Sequence, residues 1–121
     1  MSQQVDGNYG SYIASAALKP GVLVKISTLA TRAIAAAALG DEYIGSLINE
    51  CFAAGDEATV KLRSGAGTHK LRSSGAFTAP VIVYGRASGK VDDISTTSAV
   101  RAGMAIESAG GADELVEVIM A

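Results

Sequence analysis

Tryptophan is absent and the aromatic complement stops at four tyrosines and two phenylalanines, so the 49% hydrophobic content rests mainly on alanine and valine. Small side chains remove little apolar surface from water, at about 25 cal/mol per Å². A chain of 121 residues built this way is expected to have a thin core and to draw stability from contacts between subunits or with a larger surface. The shortage of aromatic rings also weighs against a ligand-binding β barrel, whose pockets are usually ring-lined. Histidine and cysteine occur once each, as His69 and Cys51. That excludes a zinc site with two or more histidines, and it excludes an internal disulfide, in keeping with a reducing compartment. Cys51, beside Phe52, reads as a small apolar core residue.

An excess of one charge is missing too. Ten Lys and Arg stand against twelve Asp and Glu, for a net charge of -2, and the basic stretch over residues 61–72 is balanced by an acidic one over 107–117. No nucleic-acid partner is implied. The longest apolar run, residues 33–39, is far too short to cross a bilayer, and the first twenty residues carry no basic-then-apolar leader pattern. The expectation is a soluble protein made in the cytoplasm, with no membrane partner.

What is abundant is glycine, with fourteen residues against two prolines, which favours a β fold with many tight turns over a helical bundle. Residues 1–20 stand apart as an extended N-terminal arm: polar and glycine-bearing up to Ser11, with Tyr9 and Tyr12 outward-looking and a short apolar stretch from Ile13 to Leu18, before Lys19-Pro20-Gly21 forces a turn. Residues 21–121 form a single β domain. Residues 22–26 are β-branched and too short for a helix. Residues 28–39 carry helix start and stop signals around an alanine-rich run, so propensity reads one short helix there, while the family resemblance given below implies a strand near residues 32–36, and the segment stays open. Residues 57–63 alternate cleanly, with Ala58, Val60 and Leu62 on one face and Thr59, Lys61 and Arg63 on the other. Ser64-Gly65-Ala66-Gly67 then suggests a hairpin returning over residues 68–72. That pairing would gather Lys61, Arg63, Lys70 and Arg72 on one polar face, a solvated surface or a docking face for an acidic partner. Further strands are expected over 43–48, 79–84, 100–106 and 115–120, the last apolar on both faces except for Glu117 and hence central or covered by another subunit.

Two of these units resemble each other. Gly45-Ser46-Leu47-Ile48 answers to Gly103-Met104-Ala105-Ile106, and after a one-residue length difference Asp56-Glu57 answers to Asp113-Glu114. Two copies are too few for a solenoid or propeller, and similarity this short also arises by chance.

Catalytic signatures are weak. Gly85-Arg86-Ala87-Ser88-Gly89-Lys90 has three residues between its glycines where a phosphate-binding loop needs four, and Val91 stands where Ser or Thr should hold magnesium. No Gly-x-Ser-x-Gly elbow accompanies His69, which sits on a strand between Thr68 and Lys70. The acidic pairs Asp41-Glu42, Asp56-Glu57, Asp92-Asp93 and Asp113-Glu114 fall at turns, where carboxylates bond free backbone amides; a calcium site between turns is the sharper alternative. No cofactor or metal is expected, and no catalytic residue is assigned.

Taken in order, Gly40-Asp41-Glu42-Tyr43-Ile44-Gly45, Ala53-Ala54-Gly55-Asp56-Glu57-Ala58-Thr59-Val60, Gly75-Ala76-Phe77, Ser88-Gly89-Lys90-Val91 and Ala105-Ile106-Glu107-Ser108-Ala109 with Asp113-Glu114-Leu115-Val116-Glu117-Val118 form a pattern. It resembles the small capsid decoration, or cement, proteins of tailed bacteriophages. The resemblance covers roughly residues 20–120 and departs from the family at Thr78-Ala79-Pro80, where a glycine turn is usual. It implies a small β-barrel or β-sandwich, no catalysis, and attachment to the capsid exterior of a virion assembled in a bacterial cytoplasm. It further implies a homo-oligomer, a trimer by family habit, bridging copies of the major capsid protein. On this reading Tyr9, Tyr12 and Ile13 of the arm are the capsid-contact candidates, because a strand-forming arm can add to a neighbour's sheet edge. The alternatives are a small hydrolase using His69 and a ligand-binding β barrel.

Overall fold

The computed structural model describes residues 9–64, 67–96 and 99–120. These residues form ten strands: β1 (Tyr9–Ala14), β2 (Leu23–Thr28), β3 (Ala33–Ala36), β4 (Gly45–Leu47), β5 (Glu57–Leu62), β6 (His69–Arg72), β7 (Val81–Gly85), β8 (Val91–Asp92), β9 (Arg101–Ala105) and β10 (Leu115–Met120). A single 3₁₀ turn, Ala87–Gly89, is the one helical element among the described residues. The protein is mainly β, as the sequence leads one to expect.

The first five strands close a barrel in the order β1-β3-β2-β4-β5, and the last five form a sheet in the order β6-β10-β9-β7-β8. These are one topology used twice. β1 pairs antiparallel with β5 and parallel with β3, while β6 pairs antiparallel with β10 and meets β8 through a parallel bridge between Ser73 and Val91. The hydrogen bonds repeat as well. Ala14 N–H donates to Asp56 O at 2.9 Å and Ser73 N–H to Glu114 O at 2.8 Å; Ser15 N–H donates to Ile34 O at 2.9 Å and Ser74 N–H to Val91 O at 2.7 Å. An offset of 58 residues relates Gly45 to Gly103 and Val60 to Val118, and one of 59 relates Val24 to Val83.

The internal repeat thus relates all ten strands of the described residues, and the short sequence match was its most visible part. One detail of that match is corrected. The connections between β4 and β5 and between β9 and β10 are equal in length, so Asp113 stands opposite Gly55 and not Asp56. Both adopt positive φ, 94° at Gly55 and 64° at Asp113, a region that Asp tolerates better than most residues. Gly45 and Gly103 share a tighter constraint. A Cβ on Gly45 would collide with the carbonyl oxygen of Lys61, and one on Gly103 with that of Ile119, so both strand pairs depend on a residue without a side chain.

Two sequence expectations fail here, and the segment 28–39, left open, takes its strand alternative as β3. Residues 9–14 are not a detached arm but a barrel strand with Gly10 and Ala14 buried; residues 1–8 lie outside the described residues. No helix forms over residues 28–39. Leu29 and Arg32 make a turn, with Arg32 at φ 55°, and β3 is held between β1 and β2. Alanine's helix preference is a few tenths of a kcal/mol per residue and yields to a ladder on both edges. The hairpin between residues 57–63 and 68–72 does not form either, because β5 already has β1 and β4 on its two edges and β6 pairs with β10. Alternation fixes which face of a strand is buried and leaves its partner open.

The two halves have separate cores of unequal independence. Ala14, Val22, Val24, Ile34, Leu47, Cys51, Ala58 and Val60 fill the first barrel, all from its own half. The second core combines Leu71, Val83, Val91, Val116 and Val118 with three residues of the first half, Leu23, Ala37 and Tyr43. The second sheet curls into a half-barrel whose ends meet only at the Ser73–Val91 bridge, and this second barrel, as it is called below, is finished by the first half.

Candidate interaction surfaces

The junction between the halves is the most constrained part of the molecule. Leu23, Ser46 and Lys61 lie in one cross-strand row over β2, β4 and β5, and Leu23 and Ser46 are buried against the second half. Gly85 and Gly89 give Leu23 its space: a Cβ on Gly89 would stand 2.5 Å from Leu23 O. Gly89 N–H also donates to Ala37 O at 2.7 Å. The Gly85–Lys90 segment therefore serves as a seat for the first barrel, which accounts for its glycines without any phosphate. Tyr43 crosses the same seam, donating its hydroxyl to Ala102 O at 3.0 Å, and burial pushes its phenol above the ordinary value, partly offset by Arg63.

His69 is part of this junction. Its Nδ1 lies 2.8 Å from Ser46 Oγ, both residues are buried, and its Nε2 has no hydrogen-bond partner. Burial, with a smaller contribution from Lys61, pulls its pKa down to about 4, so the ring is neutral at neutral pH. Nδ1–H donating to Ser46 leaves only a lone pair unpaired at Nε2, a smaller cost than an orphaned N–H. A serine beside a histidine has the outline of a nucleophile and base. Here no carboxylate is bonded to the ring among the described residues, and both groups are buried, so the pair is not laid out as an activated nucleophile with an oriented base. A buried link between barrels explains it.

The four cations do not share a strand pair. Lys61 Nζ donates to Thr68 O at 2.6 Å, Arg63 stacks 4.3 Å over the Tyr43 ring, Lys70 pairs with Glu107 at 2.9 Å, and Arg72 donates to Pro20 O at 2.8 Å. Each is already committed within the chain. The bond from Lys70 holds the Glu107 carboxyl below its ordinary value, and Lys90 does the same for Asp113. Turn acids behave as the sequence suggests: Asp56 Oδ2 accepts from the Phe52 and Ala53 amides, Asp41 Oδ2 from Ala38, and Asp92 Oδ1 from Ile94. No cluster of three or more His, Cys, Asp or Glu suited to a metal ion occurs among the described residues. Cys51 is buried in the first core, where its thiol is pushed up chiefly by burial.

Of the arm residues, Tyr9 and Ile13 are exposed, whereas Tyr12 is half-buried beneath Arg32, whose guanidinium lies 4.4 Å over its ring. Beside them opens a groove of about 380 Å³ lined by Ser11, Tyr12, Ile13, Arg32 and Glu57. The barrel interiors hold side chains, and three grooves of about 320 to 380 Å³ open on the surface of the described residues. No helix is long and apolar enough to cross a membrane among the described residues.

No protein-family model and no curated protein matches the chain. Among solved structures it is similar to the head fiber gp8.5 N base in bacteriophage phi29, with a TM-score of 0.77 and 16% identity over 93% of this chain and 92% of that one. The chain has the fold of a phage head-fibre base. At that identity the likeness lies in the path of the backbone, and both barrels take part, because the match extends over nearly the whole length.

Within the head-fibre-base fold one surface went unnoticed in the sequence. Ile82, Met104 and Ile119 are cross-strand neighbours on β7, β9 and β10 and are 37%, 38% and 45% exposed. Ile106, just past the end of β9, and Leu115 on β10 are exposed as well. The available signal was β10 itself, apolar on both faces. It is indeed a central strand, between β6 and β9, yet its outer side chains Leu115 and Ile119 remain uncovered.

Proposed function

We propose that this chain is a structural protein of a phage virion that attaches to the outside of the head as a homo-oligomer, a trimer, and bridges neighbouring major capsid subunits. The observation that carries the reading is the shared fold with a phage head-fibre base across nearly the whole chain. The ordered motifs that resemble capsid decoration proteins point the same way from sequence. Uncovered apolar surface on a chain whose cores are small and alanine-rich suits a protein completed by its neighbours. Each additional contact on a lattice is intramolecular once the first is made, so several weak contacts add up to firm attachment. A protein that binds only the assembled shell stabilises it by linkage.

The direct test is co-sedimentation of the purified protein with undecorated capsids, together with the capsid melting temperature. Stoichiometric binding and a raised melting temperature are expected. No binding at any salt concentration would sink the proposal. Deleting residues 1–18 is unsuitable as a test, since it removes β1 from the first barrel.

A further inference from the structure

The repeat makes it possible to ask, of each surface on one barrel, what covers its counterpart on the other. In the first barrel the row Leu23, Ser46, Lys61 is the face that docks onto the second barrel. Its counterpart in the second is the row Ile82, Met104, Ile119, one strand position for one strand position. Among the described residues no element packs over it, and all three residues are exposed and apolar. The receiving side shows the converse. In the second barrel it is β6 and the Ala87–Gly89 turn, where Arg72 N–H donates to Gly21 O at 2.7 Å and Gly89 meets Leu23. Its counterpart in the first barrel is β1 and the turn from Leu29 to Arg32. Gly89 and Arg32 occupy matching places, both left-handed, with φ 73° and 55°. That side carries exposed apolar groups: Leu29 is 82% exposed, Tyr9 and Ile13 are exposed, and a groove of about 380 Å³ lined by Ile13 and Arg32 opens on it, although the amide that matches Arg72 N–H, that of Ile13, already donates to Arg32 O at 3.1 Å.

The geometry points to a second copy of this chain as the occupant, joined head to tail: the Ile82–Met104–Ile119 face of one copy against the Tyr9, Ile13 and Leu29 rim of the next. An interface that the chain builds once internally leaves one unfilled half of each kind, and only a further copy offers both. The contact between chains is not an exact replica of the internal one. Ile26 and Arg32 stand where the second barrel has Gly85 and Gly89, so the incoming face rests on the rim and does not plug the core. Such a heterologous contact either closes into a ring or polymerises. The inference rests on the oligomeric part of the proposed function and is independent of capsid attachment.

The experiment uses the full chain and two charge variants on the opposite halves, Met104→Lys and Ile13→Lys, with light scattering coupled to size exclusion. The wild type should be a closed oligomer. Each variant should be monomeric with unchanged circular dichroism, and an equimolar mixture of the two should form a species of two chains, since one intact junction remains. Met104→Ser, which introduces the side chain present at position 46, serves should the lysine perturb folding, and it should weaken assembly in the same direction. A monomeric wild type at its highest soluble concentration overturns the inference. So does an oligomer that survives both variants, or a mixture with no two-chain species. If the wild type is monomeric and Met104→Lys loses only capsid binding, the face belongs to the capsid, and the self-association inference fails together with the oligomeric part of the proposed function while capsid attachment stands.

Discussion

Lowering the pH from 7.5 to 5.0 should weaken the fold through one side chain. His69 is the only histidine, buried at the seam between the barrels, with a folded pKa of about 4 against 6.5 for a free imidazole. Because the folded value is the lower one, the unfolded chain binds the extra proton first. The stabilisation is fully present above about pH 6.5 and is lost progressively as the pH falls towards 4. The full separation corresponds to about 3 kcal/mol, of which about 2 kcal/mol is lost by pH 5.0. Lysines hold the Asp41, Glu107 and Asp113 carboxyls below their ordinary values, so the stabilisation they carry is lost at more acid pH, and the His69→Gln variant separates the histidine's share from that of other groups. Urea unfolding at fixed protein concentration is the assay, with the midpoint expected to fall by roughly 1 M. His69→Gln should be less stable at pH 7.5 and nearly flat across the same range. A flat wild-type profile, or an equal slope in the variant, would refute the account of His69 as a buried neutral link.

Gly45→Ala and Gly103→Ala should each cost on the order of 2–4 kcal/mol, since both new methyl groups meet a backbone carbonyl that cannot move aside; similar losses in urea midpoint at the two sites would check the repeat itself. Leu23→Ala should cost about 3 kcal/mol, and hydrogen exchange should show the loss concentrated in the second barrel, whose core Leu23 completes. Tyr43→Phe should cost about 1 kcal/mol in thermal unfolding, through the lost bond to Ala102 O. Expressed separately, residues 1–64 should give dispersed amide NMR signals, whereas residues 67–121, deprived of Leu23, Ala37 and Tyr43, should not.

The strands were legible where side chains alternate. Ala58 and Val60 face inward as their spacing requires, and Val118 does the same on β10. The partners were not legible, because a strand's pattern carries its faces and not its neighbours. This is why β5 and β6 read as a hairpin though a barrel boundary lies between them. The arm misled for a related reason: exposed Tyr9 and Ile13 give β1 a polar, loose character, while the buried positions opposite them are Gly10 and Ala14, too small to signal a core. The repeat was visible only at the glycine turns, since elsewhere the counterparts differ in kind, as Leu23 and Ile82 or Ser46 and Met104 do in burial. The Ser46–His69 contact and the uncovered apolar row both depend on pairings across strands distant in sequence, and no local pattern announces them.

The one-sided sharing of core residues sets an order in time. As the chain leaves the ribosome its first half carries everything its own barrel needs and can close before the rest appears. The second half emerges onto a finished template that already presents Leu23, Ala37 and Tyr43, so its strands assemble around side chains whose positions are set. With two barrels of one topology in one chain, strands could trade places between them. A first barrel completed early withdraws five of the ten strands from that exchange.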